Sequence, residues 1–139
     1  PCTRFIATMN YGYAGTREIN EALASRFMVI NMPVISGDNL EKLLKIQFPK
    51  MNDNYVRQFS GLFQDIRKKC DSSEISTKAL DLRGLLAAAQ LIQNGLSAGR
   101  ALELGITNKS FDDFERQLVA DIISVRIPAG LTGKDIFES

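Results

Sequence analysis

The fold class is decided by the stretch Tyr55-Val56-Arg57-Gln58-Phe59-Ser60-Gly61-Leu62-Phe63-Gln64-Asp65-Ile66. Its apolar residues fall at positions i, i+1, i+4, i+7, i+8 and i+11, which places them along one side of an α-helix. Such a stripe is stable only when other elements cover it, so we expect further helices on both sides of it.

One helix is predicted before this stretch. It begins after Asp38 or Asn39, either of which is a suitable N-cap residue, and it ends at Pro49. Its apolar residues repeat with helical spacing and share one side (Leu40, Leu43, Leu44 and Phe48). This helix can therefore pack against the stripe of the next one.

Three helices are predicted after it. The first covers about 76–93 and stops at Gly95, and the second is a short helix between Ser97 and Gly105. The third follows Ser110 and breaks at Pro128. The residues expected to face inward are Leu82, Leu85, Leu86, Ala89 and Ile92 in the first of these helices, and Phe111, Phe114, Leu118, Val119, Ile122 and Ile123 in the last.

The segment before Pro33 has a different pattern. Residues 4–9 and Phe27–Ile30 are short, apolar and β-favouring, which predicts two strands. A loop at 11–15 and a short helix over about 17–25 connect them. Two strands cannot bury both of their faces, so they are typical of one edge of a larger parallel sheet. We therefore expect a mainly α chain: a helical bundle over 34–139, preceded by a two-strand remnant of an α/β core over 1–33.

Composition excludes several classes of function. The 139 residues are 45% hydrophobic and 24% charged, with a formal net charge of +1. These values are ordinary for a globular protein and do not favour nucleic-acid binding. The absence of His excludes His-based catalysis and His metal sites. The carboxylates at Asp112, Asp113 and Glu115 are too few for a metal site, so none is expected.

Several features bear on location. Cys2 and Cys70 form no CxxC motif, which favours a reducing, cytoplasmic setting. No apolar run reaches the roughly 18 residues of a membrane helix, and we find no signal-peptide pattern. The sequence begins at Pro1 rather than Met, so we expect it to start within a longer protein.

Two polar residues near the predicted strands could carry chemistry. Asn10 follows the strand over 4–9, where an amide at the carboxyl end can hold a water molecule. Arg26 lies where the short helix meets the second strand, and its planar, always-charged fork suits phosphate oxygens. The structural alternatives are an Asn that starts a turn and a surface Arg that complements a helix dipole.

The run Phe5-Ile6-Ala7-Thr8-Met9-Asn10, followed by Glu21-Ala22-Leu23-Ala24-Ser25-Arg26-Phe27, resembles the late part of a AAA+ ATPase core of the MoxR/CbbQ-like (AAA_5, dynein-related) type. The resemblance implies that Asn10 is sensor 1, which orients the attacking water. It also implies that Arg26 is an arginine finger, which stabilises charge on ATP bound by the neighbouring subunit.

The stretch Leu80-Asp81-Leu82-Arg83-Gly84-Leu85-Leu86-Ala87-Ala88-Ala89-Gln90-Leu91-Ile92 resembles the lid helix of the same proteins. The resemblance implies that Arg83 is sensor 2, which contacts the nucleotide of its own subunit. Lys78 is a rival, because Ser76-Thr77-Lys78 is similar to the Ser-x-Arg start of that helix. We prefer Arg83 because its spacing to the Ala-Ala-Gln-Leu-Ile tail fits better, and because Lys at 78 loses bidentate phosphate recognition.

The resemblance implies that the intact protein is an ATPase that binds ATP with Mg²⁺ and forms a homo-oligomeric ring. It would remodel or mature a client protein, often together with a von Willebrand factor A protein, with no nucleic-acid or membrane partner. Gly130-Leu131-Thr132-Gly133-Lys134-Asp135 is not a phosphate loop, because Pro128 and Asp135 replace the required Gly and Ser/Thr. This chain alone is therefore expected to bind no cofactor and to hydrolyse no ATP. The alternative is a non-enzymatic helical interaction module.

Overall fold

The computed structural model describes residues 2–9 and 19–138. The chain divides into two compact units, Pro1–Val34 and Ile35–Ser139. Among the described residues, none of the helices is both long enough and apolar enough to cross a membrane.

The first unit contains one short helix, α1, over Glu21–Ala24. Asn20 caps it, since the Asn20 side chain accepts a hydrogen bond from the Ala22 amide at 2.8 Å. The predicted strands are wrong for the described part of the chain, where residues 2–9 and 27–30 have no regular secondary structure. A strand needs a partner for its backbone N–H and C=O groups, and the described residues offer these segments none.

The second unit is a helical bundle. The prediction of a mainly helical chain is therefore confirmed. Its helices are α2 (Gly37–Gln47), α3 (Asp53–Asp71), α4 (Leu82–Gln93), α5 (Ala98–Gly105), α6 (Asp113–Arg126) and α7 (Gly133–Ile136), with 3₁₀ turns at Thr77–Ala79 and Thr107–Lys109.

Helix α3 supplies much of the core, as its stripe predicts. The side chains of Val56, Phe59, Leu62 and Ile66 are fully buried. Leu40 and Leu44 of α2 are buried as well, and α2 packs on α3. The N-cap of α2 is Ser36 rather than Asp38 or Asn39, because its hydroxyl accepts a hydrogen bond from the Asn39 amide at 3.3 Å.

Helices α4 and α5 cross through their glycines. A Cβ added to Gly84 would overlap the carbonyl oxygen of Gly105, and a Cβ added to Gly105 would overlap that of Gly84. Each glycine therefore lets the two backbones approach closely. Helix α4 ends before Gly95, which has a φ of +107° and stops the helix as predicted.

The predicted start of α4 at about residue 76 is wrong, because the helix begins at Leu82. Ser76 is held by α6 instead: its amide and its hydroxyl each donate to the Glu115 carboxylate at 2.9 Å. Residues Thr77–Ala79 then form a 3₁₀ turn. A contact distant in sequence therefore overrides the local helical pattern.

The predicted inward set of α6 is partly wrong. Val119 and Ile123 are buried, but Phe111 is 83% exposed and Phe114 is 70% exposed. The helix begins at Asp113, and Asp112 caps it by accepting from the Glu115 amide at 2.9 Å. The apolar residues of this helix surround too much of its circumference for one packed face to cover all of them.

Candidate functional site

The structure divides the predicted site residues between the two units. Asn10 lies outside the described residues. Arg26 belongs to the first unit, whereas Lys78 and Arg83 belong to the second.

Arg26 lies in the turn that follows α1, and its side chain is exposed. The guanidinium nitrogen Nη1 donates to the carbonyl oxygen of Ala22, one turn earlier. Its backbone amide bonds to the Leu23 carbonyl at 3.1 Å. Since a guanidinium carries five N–H donors, most of them have no partner among the described residues.

Lys78 lies in the 3₁₀ turn at Thr77–Ala79. Its ammonium nitrogen is 5.0 Å from the centroid of the Phe111 ring, which is a cation–π distance. The Lys78 charge therefore has an internal partner.

Arg83 is the second residue of α4 and is exposed. Among the described residues, its guanidinium makes no hydrogen bond and no ion pair. The amides of the first helical turn, including those of Leu82 and Gly84, have no acceptor within the helix. Asp81 is the N-cap residue, but its side chain makes no capping hydrogen bond.

This arrangement has an electrostatic consequence. A cation at a helix N-terminus opposes the helix dipole. Backbone amides at a helix start and a guanidinium both favour an anion, so an anion placed there would relieve that repulsion. The start of α4 can therefore attract a phosphate or carboxylate group.

A cleft of about 430 Å³ lies beside Arg83. It is lined by Asp81, Arg83, Gly84, Ala87, Leu91, Leu104, Gly105 and Lys109. Its lining is partly charged, with Lys109 Nζ 3.5 Å from Asp81 Oδ2, and partly apolar, with the partly exposed Leu91 and Leu104.

Sequence reasoning missed Lys109. Lys109 lies beyond α5 and reaches this cleft only because Gly84 and Gly105 let α4 and α5 cross closely. The pair of glycines was a signal for close helix packing, but neither glycine identifies its partner in the linear sequence.

A second cleft of about 540 Å³ lies between α5 and α6. Arg116, which lines it, donates to the Asn108 side chain at 2.9 Å and lies 4.0 Å from Asp113. The cation of this cleft is thus already engaged, which distinguishes it from Arg83.

The segment at Gly133-Lys134-Asp135 opens helix α7. The amide and hydroxyl of Thr132 each donate to Asp135 Oδ2 at 2.8 Å, which makes a capping box. These hydrogen bonds lower the pKa of the Asp135 carboxyl. The residues therefore act as a helix start. Within residues 2–9 and 19–138, no three His, Cys, Asp or Glu side chains cluster as metal ligands.

Comparison with known proteins gives relatives but no family. No family model and no solved structure matches the chain. The chain is 33% identical over 117 residues to the Bacillus subtilis protein YojN, a match that covers 84% of this chain and 38% of YojN. It is also 33% identical over 125 residues to a protein of Staphylococcus aureus strain NCTC 8325, with 90% of this chain and 47% of the relative covered.

Both relatives are named only as uncharacterized proteins. The chain spans less than half the length of each of them. The activity, substrates and partners of the whole protein are therefore matters for proposal.

Proposed function

We propose that this chain is part of a AAA+ ATPase of the MoxR/CbbQ-like type. In this proposal α2–α7 form the helical lid, and the first unit is the last portion of the α/β core. The observation that carries the proposal is the position of Arg83. It lies at the start of α4 beside free backbone amides, with no partner among the described residues.

The apolar segments of the first unit support the proposal. Ile6 is 91% exposed and Met28 is 97% exposed, although both lie in short β-favouring runs. Such runs gain stability when they pair with further strands and are covered on both faces. The matched regions cover less than half of each relative, so a related protein has room for the rest of such a sheet.

In the proposed mechanism, ATP and Mg²⁺ bind to residues outside this chain and Arg83 contacts the phosphates of its own subunit. Arg26 reaches the ATP of the neighbouring subunit in a homo-oligomeric ring and stabilises the charge of the transition state. Asn10 orients the attacking water. The ring would act in the cytoplasm on a client protein, together with a von Willebrand factor A protein.

The cation–π contact of Lys78 supports Arg83 as the sensor 2 residue. A Lys78 ammonium that reached a phosphate would have to leave the Phe111 ring, whereas Arg83 breaks no contact with a described residue. Arg83 also offers a bidentate fork. Lys78 stays the alternative and enters the same experiment.

In this proposal the chain is part of a longer protein, and the test uses that protein. We expect Arg26→Ala to lower ATP turnover by about 10³–10⁵-fold with nucleotide binding retained, which is the range for an arginine finger. We expect Arg83→Ala to weaken nucleotide binding by about 10–100-fold, which is the value of a lost charged hydrogen bond. Turnover by labelled phosphate release and binding by calorimetry would measure both effects.

Arg57→Ala is the matched control, since Arg57 is an exposed arginine on α3 with no proposed role. If Arg26→Ala and Arg83→Ala behave like Arg57→Ala, the chain has no role in ATP hydrolysis and the interaction-module alternative is favoured. If Lys78→Ala weakens binding and Arg83→Ala does not, sensor 2 is Lys78.

The trans role of Arg26 has its own test. In mixed rings, an Arg26→Ala subunit should regain turnover at its own site beside a neighbour that keeps Arg26 but has an inactivated phosphate loop. Failure of this rescue in rings shown to be mixed would contradict the trans role.

A further inference from the structure

Helix α6 carries an apolar stripe that the second unit covers only in part, since Leu118 and Ile122 pack against the core. Phe114, Leu118, Ile122 and Val125 lie at positions i, i+4, i+8 and i+11, so they follow one side of the helix. Phe114 is 70% exposed and Val125 is 84% exposed, while Leu118 and Ile122 are half-buried. Phe111, which is 83% exposed, lies two residues before the start of the helix. We call these five residues the outer stripe.

This stripe is distinct from the buried side of α6. Val119 and Ile123 pack into the core on that side, and Arg126 donates to Asp65 of α3 at 2.6 Å. A group of exposed apolar side chains that includes two aromatic rings is typical of a surface that binds another protein.

The two edges of the outer stripe differ in charge. On the edge toward α3, the Glu115 carboxylate accepts a hydrogen bond from the Ser76 amide, and the Arg126 guanidinium donates one to Asp65. The opposite edge carries Asp113 and Asp121, and both side chains are exposed.

The acidic edge is only weakly neutralised. Asp121 accepts from the neutral Gln117 amide at 2.9 Å, and Asp113 lies 4.0 Å from Arg116, which is at the outer limit of an ion pair. Lys78 is next to the stripe only at its Phe111 end, where its charge lies over the ring. The edge opposite α3 is thus bordered by negative charge.

This charge pattern selects the occupant. Two copies of α6 packed antiparallel about a twofold axis would bring the same edge of each helix together, and carboxylates would face carboxylates. An anionic lipid surface would be repelled for the same reason. A helix whose apolar stripe is bordered by Lys or Arg would bury the phenyl rings and pair with Asp113 and Asp121.

We infer that the outer stripe of α6 is a docking site for a basic amphipathic helix of a partner protein. Phe111 and Phe114 supply the aromatic anchors that the partner helix would bury. Asp113 and Asp121 select a cationic border. This inference does not depend on the proposed ATPase activity.

The test uses a pair of synthetic probes. One is an 18-residue amphipathic helical peptide with a Leu stripe bordered by Lys, and its twin carries Glu at the same positions. The isotope-labelled 139-residue chain is titrated with each peptide and observed by NMR. We expect the Lys peptide to shift the amides of α6, and the Glu peptide to bind at least tenfold more weakly.

Two variants separate the apolar and the charge contributions. Phe114→Ser should weaken the binding of the Lys peptide at least tenfold, because the variant loses a central aromatic anchor. The double variant Asp113→Lys with Asp121→Lys should reverse the preference, so that the Glu peptide binds more tightly. Ile46→Ser is the matched control, because Ile46 on α2 is 80% exposed and should contribute nothing. Melting curves of each variant would establish that it is folded.

Several results would overturn the inference. These are equal binding of the two peptides, shifts centred away from α6, or no reversal by the double variant. Concentration-dependent dimerisation that Phe114→Ser removes would assign the stripe to a second copy, and binding to anionic vesicles would assign it to a membrane. A peptide that binds the 139-residue chain but not the longer protein would mean that the rest of the protein covers the stripe.

Discussion

At Gly84 and Gly105, the packing of the second unit leaves no room for a side chain. At each of them an added Cβ would overlap the backbone carbonyl oxygen of the other, and a backbone atom cannot rotate away as a side chain can. The close crossing of α4 and α5, and with it the cleft beside Arg83 and Lys109, depends on the absence of these two side chains.

Gly84→Ala is therefore expected to destabilise the chain by about 1–3 kcal/mol, the range for overpacking, despite the better helix propensity of Ala. Denaturant unfolding followed by circular dichroism measures this loss. Gly130→Ala is the control, since nothing lies within 4 Å of its added Cβ, and it should change stability by less than about 0.5 kcal/mol. Equal stabilities of the two variants would contradict the close crossing.

The two thiols should differ in reactivity. Cys2 is exposed, whereas Cys70 is half-buried and donates to the Ser76 carbonyl at 3.4 Å. Burial raises the pKa of the Cys70 thiol, with smaller contributions from the charges of Asp71 and Glu115. Less of the Cys70 side chain is therefore the reactive thiolate at neutral pH.

We expect iodoacetamide at pH 7 to modify Cys2 before Cys70, as followed by mass spectrometry of the tryptic peptides. Raising the pH should increase the rate at Cys70, because its raised pKa leaves more thiol to deprotonate. In the Cys2→Ser variant, the slower modification of Cys70 should proceed at an unchanged rate. A Cys70 that reacts first would be inconsistent with its burial.

Helix α7 shows how a short element closes the bundle. The amide of Asn52 donates to the Ile136 carbonyl at 2.9 Å, and the amide of Glu138 donates to the Lys50 carbonyl at 2.7 Å. The buried Phe137 ring meets Phe48 edge-to-face, with ring centroids 6.2 Å apart. The capping box of Thr132 and Asp135 holds the start of this element in place.

The cap of α7 should depend on pH. Hydrogen bonds from Thr132 lower the pKa of Asp135, so the ionised carboxylate contributes its full stabilisation above the ordinary carboxyl pKa. That contribution is lost as the pH falls through the lowered folded-state pKa. The protection of the amides at residues 132–136, that is, the intrinsic exchange rate divided by the observed rate, should therefore be lower at about pH 2 than at neutral pH.

Asp135→Asn provides the comparison, since its side chain cannot titrate. In this variant the acid-dependent loss of protection should vanish. Glu74 also has a lowered pKa, caused first by its hydrogen bond from Lys69, but it lies after α3 and should leave the exchange of α7 unchanged. Identical acid responses in the variant and the parent would remove Asp135 as the cause.

At the scale of elements, the sequence predicts which segments form helices. It does not predict some of the helix boundaries, or which face of a helix is buried. The stripe of α3 and the stop at Gly95 are local signals, and both are confirmed. The start of α4 depends on Glu115, which is distant in sequence, and the exposed faces of Phe111 and Phe114 depend on how α6 packs. Periodicity identifies apolar residues but not which of two adjoining apolar faces is covered.

The candidate site shows the same difference between local signals and signals that depend on tertiary packing. Arg83 is a candidate because of its sequence context, whereas Lys109 and the cleft arise from a tertiary crossing. The strands expected over 4–9 and 27–30 have β-favouring composition, yet a strand exists only with a partner. The sequence of one segment contains no information about that partner.

At the scale of the whole molecule, the second unit has a complete core of its own. The buried apolar residues run from Leu40 on α2 to Phe137 after α7, and they form one cluster. Hydrogen bonds near both ends of this unit are made within it. The Ser60 hydroxyl donates to the Gly37 carbonyl at 3.0 Å, and the Glu138 amide donates to the Lys50 carbonyl. A unit with a continuous core and satisfied ends is expected to fold cooperatively.

We therefore predict that residues 35–139 fold without residues 1–34. Thermal unfolding should show one cooperative transition, with a Tm within about 5 °C of that of the 139-residue chain, which corresponds to roughly 1 kcal/mol for a domain of this size. The Gly84→Ala variant made in this shorter chain should lose the same stability as in the longer one, because the crossing of α4 and α5 lies within the unit. A gradual melt, or a Tm that falls much further, would mean that the first 34 residues contribute to the core.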